Sequence, residues 1–581
     1  MRRWVTRGMC AVLVASWSVA AAGQDARIQL PVQGPGASVQ PQRDTRKPPE
    51  GTGAIRGQVF AADQNAPLRR ARVRLQAPQI TRVATTDAEG RYEFKRLPAG
   101  RFSLNASKGS YIALDYGQRR PFERGKPVEL AQGQVLEKIN FTLPRGGVIT
   151  GRVTDDYGDP VADMPVSAMR LQYSNGRRRP APVGRSATTN DTGAFRIYGL
   201  PPGEFYVGTL FSMGGGIMGA DNEDGFVYAP TYYPGTASLT DAGRVALKVG
   251  QERSNVDMTL VSSRTASVSG TALTSRGHPA VGATITLSQT TAAGGISGGM
   301  MMTRSVVSAG SGATVQPDGS FKVTGLAPGD YALSLQVNNA EPGEEEAAGV
   351  PLSVNGVDIP GVSLGVTAGA TARGSVVFDG GAEPAFSPRV LRTFASTASG
   401  APSVLRLRTV GTNTVRDDWT FEMKGLDGQR LFRLNGLPAD WMLKGVYLEG
   451  RDITDVPLEI HEDIQGLQLV VTNLVTRVTG TVADARGGTA REYTVLVFAE
   501  DSGRWTPASR FRAIARPDQN GEFKAEKLPP GNYLAIALDY LDESESTDPE
   551  FLARIRDLAT RFTLGEAETK SLSLKIAVIE Q

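Results

Sequence analysis

The side chains that most often carry catalysis are scarce in this 581-residue chain, which has two histidines and one cysteine. Zinc peptidases hold their metal with a His and a Glu three residues apart, together with a distant second His. The residue three positions after His278 is Val281. The residue three positions after His461 is Ile464. The sequence therefore predicts no catalytic residues, no metal site and no cofactor.

A serine-hydrolase pattern, Gly-x-Ser-x-Gly, is present at residues 295–299. The pattern works only at a turn from a strand into a helix, with a histidine base downstream. Here it lies in a stretch rich in Gly, Ala and Met, from Thr291 to Met302, with no helical pattern after it. We interpret the stretch as a loop between strands.

Acidic clusters at 344–346 and 539–550 are a further possible site of chemistry, because carboxylates attract calcium. Neither cluster has the alternating ligand spacing and glycine bend of a calcium loop. The acids beside His461, which are Glu462 and Asp463, are equally ordinary for a solvated turn. All three stretches are predicted to be solvated.

The first residues have the features of a secretory signal. Three arginines precede an apolar run from Met9 to Ala22 that ends in small residues, which predicts a signal peptide over 1–22 and export to the periplasm or beyond. No later stretch is long and apolar enough to span a membrane. Removing the segment also removes Cys10, so the mature chain has no thiol chemistry.

The charge balance of the mature chain argues against nucleic acid as a partner. The full chain has 63 Lys and Arg against 60 Asp and Glu, and the signal contains three of the arginines and no acid. The mature chain is therefore close to neutral, whereas phosphate binding relies on a strong positive excess. The 67 glycines and 35 prolines are typical of turn-dense all-β structure.

A repeated opening motif organises the chain after a lead-in at 23–53. The motif places a glycine between strand-forming residues, and it recurs five times at spacings of roughly 95 to 120 residues, the size of an immunoglobulin-like sandwich. The glycines of this motif are Gly57, Gly151, Gly270, Gly374 and Gly480.

A second motif follows inside four of the repeats, with an Asp, a turn Gly, an aromatic residue, a Leu, a Pro-Gly turn and a second aromatic residue. Its turn glycine supplies a positive φ, and its aromatic residue lies on the face of the strand that points into the core. The first copy runs from Asp87 to Phe102. In the fourth repeat the stretch from Arg430 to Trp441 is the expected counterpart, with Arg430 and Asp440 in place of the glycines.

These motifs resemble the carboxypeptidase regulatory-like domain, on the Gly-x-Val opening, the Asp-to-Gly-x-aromatic strand and the Leu-Pro-Pro-Gly-x-Tyr turn of residues 528–533. The resemblance implies a prealbumin-like (transthyretin-like) β-sandwich, found in tandem in exported bacterial proteins and distinct from the catalytic domain it accompanies in some peptidases. We therefore predict an all-β chain of tandem immunoglobulin-like sandwiches with one short C-terminal helix. The predicted sandwiches cover 54–145, 148–262, 266–370, 372–475 and 476–581, with the helix at 549–561.

Aromatic residues in loops are the candidate ligand-binding residues, because flat rings stack on sugars. Tyr228, Tyr232 and Tyr233 lie in a Gly- and Pro-flanked loop of the second repeat. Trp505 lies in a loop-like stretch of the fifth. Rings that cover one end of a sandwich are the alternative interpretation.

Three functions remain open. Fold, predicted export and missing chemistry favour a non-catalytic scaffold or interaction protein of the cell envelope, whose partner is an envelope protein or a glycan. A carbohydrate-binding module array is the first alternative, and paired exposed aromatic residues in a groove would favour it. An accessory or regulatory component associated with a carboxypeptidase is the second alternative, and a zinc-competent cluster would be needed for it.

Overall fold

The computed structural model describes most of the chain from residue 51 to residue 578. The described residues are 51–77, 80–174, 177–209, 226–290, 296–297, 300–301, 305–307, 313–326, 328–336, 346–365, 367–379, 384–397, 413–484 and 486–578. The predicted signal at 1–22 and the lead-in up to residue 50 lie outside them. So do Gly295, Gly298 and Gly299 of the serine-hydrolase pattern, and Glu344 and Glu345.

The described strands fall into five groups, which we call sandwiches 1 to 5, each with its own buried core. The first strand of each group pairs antiparallel with the strand of the second motif and parallel with the returning end of the group. The all-β prediction is confirmed. That each sandwich is an independent folding domain stays a prediction.

Sandwiches 1 and 2 each have a small sheet around the first strand and a larger second sheet. The strands of sandwich 1 are β1 (Gly53–Ala61), β2 (Arg72–Ala77), β3 (Ile80–Thr85), β4 (Arg91–Leu97), β5 (Gly100–Ser107), β6 (Leu114–Asp115), β7 (Val128–Leu130), β8 (Val135–Leu136) and β9 (Phe141–Leu143). The strands of sandwich 2 are β10 (Gly147–Thr154), β11 (Pro165–Ser174), β12 (Arg177–Pro182), β13 (Ala187–Thr188), β14 (Ala194–Leu200), β15 (Gly203–Thr209), β16 (Phe226–Tyr228), β17 (Thr231–Tyr232), β18 (Arg244–Leu247), β19 (Glu252–Arg253), β20 (Met258–Thr259) and β21 (Ser262–Arg264).

Sandwiches 3 and 4 have longer returning strands beside the first strand. Sandwich 3 keeps the smaller sheet around the first strand, whereas in sandwich 4 that sheet is the larger one, with five strands against four. The strands of sandwich 3 are β22 (Ala266–Leu273), β23 (Thr284–Thr290), β24 (Ile296–Ser297), β25 (Met300–Met301), β26 (Ser305–Val307), β27 (Ala313–Thr314), β28 (Ser320–Leu326), β29 (Gly329–Gln336), β30 (Glu346–Val354), β31 (Ile359–Gly365) and β32 (Thr367–Ala368). The elements of sandwich 4 are β33 (Ala370–Phe378), a 3-10 helix (Pro388–Val390), β34 (Arg392–Thr397), β35 (Asn413–Thr414), β36 (Thr420–Leu426), β37 (Gly428–Asn435), β38 (Met442–Leu448), β39 (Arg451–Asp452), β40 (Leu458–Ile460) and β41 (Ile464–Thr472).

Sandwich 5 differs because its last strand pairs with both sheets and joins them, in the order β44-β43-β46-β48-β42-β45 with β47 on β46. Its strands are β42 (Arg477–Ala483), β43 (Thr494–Ala499), β44 (Arg512–Ala515), β45 (Glu522–Glu526), β46 (Gly531–Leu538), β47 (Thr560–Leu564) and β48 (Thr569–Ala577). Its helices are α1 (Pro549–Ile555) and the 3-10 helices Ser502–Arg504, Glu543–Thr547 and Arg556–Leu558.

The glycine of the opening motif lies directly opposite the first aromatic residue of the second motif in all five first strands. The pairs are Gly57–Tyr92, Gly151–Phe195, Gly270–Phe321, Gly374–Phe421 and Gly480–Phe523. At each of these glycines a Cβ would lie between 1.7 and 2.0 Å from a carbonyl oxygen of the returning chain. The close approach of that backbone therefore accounts for the repeated glycine.

In the fourth repeat the second motif lies about one strand earlier than the predicted stretch from Arg430 to Trp441. Phe421 of β36 pairs with Gly374, so the motif begins before β36 and not at Arg430. Trp419 occupies the turn position with a φ of 63°. Arg430 stands where the other repeats have the second aromatic residue, is 4% exposed and forms an ion pair with Asp427.

The C-terminal helix is shorter than predicted, although its start is correct. Asp548 caps α1 and Pro549 is its first residue. The helix ends at Ile555, and a 3-10 turn follows. Phe551, Leu552 and Ile555 pack on the sheet of sandwich 5. Leu558, which lies within the predicted helix span, belongs to the 3-10 turn and is 53% exposed.

Candidate interaction site at the junction of sandwiches 1, 2 and 5

A loop of sandwich 1 between β6 and β7 provides the first component of a charged junction. Glu123 organises this loop, because its Oε2 accepts the backbone N–H groups of Arg119 and Arg120 at 3.1 and 3.3 Å. The loop presents four cations close together in sequence. Together with two arginines of sandwich 2 they form what we call the basic face: Arg119, Arg120, Arg124, Lys126, Arg170 and Arg178.

Arg516 of sandwich 5 lies at the centre of the junction, directly after β44, and is 2% exposed. One terminal nitrogen of its guanidinium donates to Glu123 Oε1 and to the Thr494 hydroxyl, and the other donates to the Gly117 carbonyl at 3.2 Å. Burial lowers the pKa of Arg516 to about 10, because the charged form loses its hydration. The guanidinium is still charged at neutral pH and therefore depends on Glu123.

Glu492 of sandwich 5 makes the second set of contacts with the same loop. Its carboxylate lies 2.6 Å from Lys126 Nζ and 3.6 Å from Arg119 Nε. Lys126 also donates to the Arg491 carbonyl at 2.7 Å. The Lys126 side chain is only 12% exposed, so its two partners replace most of the water it would otherwise bind.

The acidic segment 539–550 of sandwich 5 provides the third component. Two caps shape it: the side chains of Asp542 and Asp548 each accept a backbone N–H two residues further on, at 3.0 Å. They begin the 3-10 helix Glu543–Thr547 and α1 respectively. The segment therefore holds its carboxylates in a fixed order along one edge of sandwich 5.

These carboxylates pair with arginines of both early sandwiches. The ion pairs are Arg120–Asp539 at 2.9 Å, Arg170–Asp542 at 3.1 Å, Arg178–Asp548 at 2.8 Å and Arg178–Glu550 at 3.1 Å. We call the sandwich 5 acids of the junction the acidic face: Glu492, Asp539, Asp542, Glu543, Asp548 and Glu550. The acidic segment was predicted to be solvated, and this is wrong for Asp542 and Asp548, whose side chains are 11% and 6% exposed.

Phe122 marks the point where the three sandwiches meet. Its ring packs against the core of sandwich 2, and the guanidinium of Arg170 stacks over it at 4.0 Å. Its carbonyl accepts the backbone N–H of Glu543 at 3.2 Å. The next carbonyl back along the chain, that of Pro121, accepts the Tyr540 hydroxyl at 2.9 Å. Backbone as well as side chains therefore fixes the relative positions of these sandwiches.

The position of Glu543 in the junction disfavours the charged form of its carboxyl. Burial raises the pKa of Glu543 above its usual value, while Arg124 acts in the opposite direction. The Arg124 guanidinium lies 3.9 Å from Glu543 Oε1. A raised carboxyl pKa means that the folded chain binds the proton of Glu543 more tightly than the unfolded chain does.

The three tyrosines predicted as ligand residues are not a row of exposed rings. Tyr232 is 9% exposed and pairs with Gly208 across β15 and β17, where a Cβ on Gly208 would lie 2.9 Å from its ring. Tyr233 and Tyr228 are half-buried against the core of sandwich 2. A short strand places the Tyr232 ring inside the sheet packing, which agrees with the alternative interpretation of rings that cover one end of a sandwich. A ligand role of the three tyrosines stays a prediction.

Trp505 is half-buried and lines a small cleft in sandwich 5. Its Nε1 donates to the Ala499 carbonyl at 2.8 Å, and its ring meets Phe498 edge to face at 5.8 Å. Arg504, Ser509 and Phe511 are among the other residues that line the cleft. A ligand role of Trp505 stays a prediction.

The remaining chemistry of the described residues is sparse. They contain no group of three or more His, Cys, Asp or Glu side chains placed to hold a metal. His461 is exposed, and its Nε2 lies 3.9 Å from Glu459. Within the part of the chain described here, no helix is long and apolar enough to cross a membrane.

Solved structures with some likeness to the chain include the TIE protein of Bacillus anthracis and two pilus proteins. The Bacillus anthracis TIE protein is 14% identical over 55% of this chain, with a TM-score of 0.15, and the chain spans 51% of its length. BcpA, the major pilin subunit of Bacillus cereus, is 10% identical over 74% of this chain and 99% of its own, with a TM-score of 0.15. RrgB, a pilus protein of Streptococcus pneumoniae, is 10% identical over 75% of this chain and 98% of its own, with a TM-score of 0.14. At these TM-scores the likeness carries no argument about function.

A family comparison is informative for sandwich 1. No curated protein matches the chain. Residues 54–144 match the carboxypeptidase regulatory-like domain, and they coincide with the strands β1 to β9 whose motifs resembled that domain in sequence. The multi-domain β-sandwich chain therefore contains a carboxypeptidase regulatory-like domain at residues 54–144.

Proposed function

We propose that the chain is an exported, non-catalytic scaffold of the cell envelope, in which tandem sandwiches hold a docking surface in a fixed geometry. The observation that carries this proposal is the junction built on Arg516 and Glu123. Tandem modules joined only by linkers move independently, whereas a buried ion pair together with backbone contacts fixes their relative positions. Export is inferred from the features of residues 1–22, and the periplasm or the outer surface is the expected location.

The junction supports a scaffold role because it preorganises sandwiches that lie far apart in sequence. Surfaces held in one arrangement lose less conformational entropy when a partner binds them. The ion pairs of Arg170 and Arg178 extend the fixed region to sandwich 2. A partner that contacts two of these sandwiches at once would therefore bind more tightly than it would if the sandwiches were joined only by flexible linkers.

The proposal is tested by crosslinking in living cells of the native host. The mature chain is expected to crosslink to the same envelope component in each preparation, and Arg516→Ala should reduce that yield severalfold at equal protein level. Arg561→Ala is the matched control, because it removes an exposed arginine from the same sandwich. Substrate turnover by the purified chain, or an envelope yield identical in all three proteins, would contradict the proposal.

A second candidate function is glycan binding at Trp505. The observation that favours it is the cleft, in which an aromatic ring, a serine and Arg504 are neighbours. Aromatic faces and hydrogen-bond donors are the groups that grip sugars. A glycan array of the mature chain, with Trp505→Ala as the comparison, decides between this function and a scaffold without sugar binding.

A further inference from the structure

The junction joins two faces of opposite charge that come from distant parts of the chain. The basic face belongs to sandwiches 1 and 2, and the acidic face belongs to sandwich 5. From these two faces we infer that the partner the junction fits is a second copy of this chain, whose acidic face replaces the first copy's own. This inference rests on the scaffold role proposed above and names the partner of the same surface.

Within the described residues, the two faces attach through side chains and single backbone groups, and not through a shared sheet. No described strand of sandwich 5 pairs with a strand of sandwich 1 or 2. The contacts across the junction are ion pairs, ring contacts and single hydrogen bonds, such as that of Tyr540 with Pro121. Sandwich 5 can therefore leave the basic face while its own sheets stay intact.

Arg516 and Glu123 are buried against each other only when the junction is closed. When the junction is open, Glu123 and Arg516 lose their ion pair and regain water, and a junction that closes again must return to each its partner as it removes that water. The Gly117 carbonyl loses its donor at the same time. The open chain thus exposes two complementary surfaces, the loop with Glu123 and the surface around Arg516, and an identical chain presents the groups that pair with both.

Exchange between two copies gives a closed assembly. If two copies exchange their sandwiches 5, each junction is rebuilt with the same residues and no face is left unpaired. Such reciprocal exchange gives a closed, two-fold dimer at little cost in contacts. For flexibly linked partners the effective concentration within one chain is on the order of millimolar, so exchange is favoured when chains are crowded.

The basic face also has the charge to attract other acidic proteins. The acidic segment fits it through two capped turns, with Asp542 and Asp548 as both caps and ion-pair partners. Because the same two carboxylates cap the turns and pair with the arginines, binding to the basic face depends on the folded shape of the segment. A generic acidic peptide lacks that shape. The second copy is therefore the occupant that the contacts favour.

Mixing two single-cysteine variants tests the inference. The native chain's only cysteine, Cys10, lies in the predicted signal, so the mature chain gives no background. Arg120→Cys and Asp539→Cys replace side chains that are 53% and 61% exposed and 2.9 Å apart at their charged ends. The two variants are mixed at high concentration in high salt, which weakens exposed ion pairs, and are dialysed to low salt. A short bismaleimide is then added.

Crosslinked dimers joining the two variants are expected at a yield at least about tenfold above a control mixture, using tenfold as the factor that corresponds to about 1.4 kcal/mol. The control pairs Lys95→Cys with Asp539→Cys, since Lys95 is an exposed residue of sandwich 1 away from the junction. Adding Arg516→Ala to both variants should abolish the excess. A yield equal to the control overturns the inference.

A double variant, Arg120→Cys with Asp539→Cys in one chain, separates failure of this inference from failure of the scaffold role. If the double variant crosslinks within single chains and the mixture of single variants gives no dimer, the two faces pair only within one chain. In that case self-exchange is wrong, and the scaffold role is still decided by envelope crosslinking. If neither the double variant nor the mixture of single variants crosslinks, both the junction within one chain and the exchange between two chains are contradicted.

Discussion

Arg516 and Glu123 are 393 residues apart in the sequence and form an ion pair whose side chains are 1% and 4% exposed. Within the described residues, the Nε of Arg516 has no hydrogen-bond partner, so the pairing of its terminal nitrogens must offset most of the cost of burial. Such a pair is sensitive to the loss of either member.

Arg516→Ala should lower the free energy of unfolding of the junction by about 3–5 kcal/mol, because Glu123 is left as an uncompensated buried charge. Urea denaturation followed by hydrogen exchange at β44 measures the loss. The matched control is Arg561→Ala, which breaks an exposed pair with Glu500 at 3.2 Å and should change stability by less than about 1 kcal/mol. Equal losses in the two variants would rule out a special role for the buried pair.

Gly57→Ala should destabilise sandwich 1 by about 1–3 kcal/mol or more, as overpacking does. A Cβ at Gly57 would lie 1.9 Å from the Ile139 carbonyl oxygen, so backbone must move. Gly109→Ala in the same sandwich is the control, since nothing lies within 4 Å of its Cβ position. Thermal unfolding of sandwich 1 provides the comparison, and an unchanged melting temperature for Gly57→Ala would refute the close approach.

Tyr232→Ala should lower the stability of sandwich 2 by about 3–5 kcal/mol, the usual cost of removing a buried aromatic ring. Tyr157→Ala should be nearly neutral, because Tyr157 is 89% exposed. Thermal melts of both variants check this. If Tyr232→Ala melts like the parent protein and loses glycan or partner binding, the ring is a ligand residue after all.

Glu543→Gln should stabilise the chain at neutral pH. The folded-state pKa of Glu543 is raised by burial, so its contribution to stability is fully present below the unfolded pKa, about 4.3. That contribution is lost as the pH rises through the folded value. The melting temperatures of variant and parent should therefore differ at pH 7 and converge near pH 4, and a gap that widens on acidification would contradict the assigned direction.

Much of the fold was predictable because the repeated motifs are local. The glycine of the opening motif and the aromatic residue of the second motif satisfy short-range demands of strand pairing, and they recur with the spacing of a sandwich. The fourth repeat was misplaced because Trp419 adopts the left-handed turn that glycine usually takes, with a φ of 63°. A tryptophan in that conformation gives no sequence signal for a turn.

The junction was not predictable from the sequence. The arginines at 119–124 and the acids at 539–550 look like ordinary solvated charges, and nothing in either stretch indicates its partner. The pairing depends on how four successive sandwich connections orient the last sandwich, which no local pattern encodes. The caps at Asp542 and Asp548 were the available clue, because they predict ordered turns in a segment that otherwise reads as a solvated loop.

The distance between sandwiches 1 and 5 in solution is the most direct test of a fixed junction. Spin labels at Val83→Cys and Leu558→Cys, which are exposed sites outside the junction, can be measured by double electron–electron resonance in dilute mature protein. A single narrow distance distribution is expected, and Arg516→Ala should broaden it. A distribution that is already broad in the parent protein, and unchanged by Arg516→Ala, would show independently moving sandwiches and contradict the account.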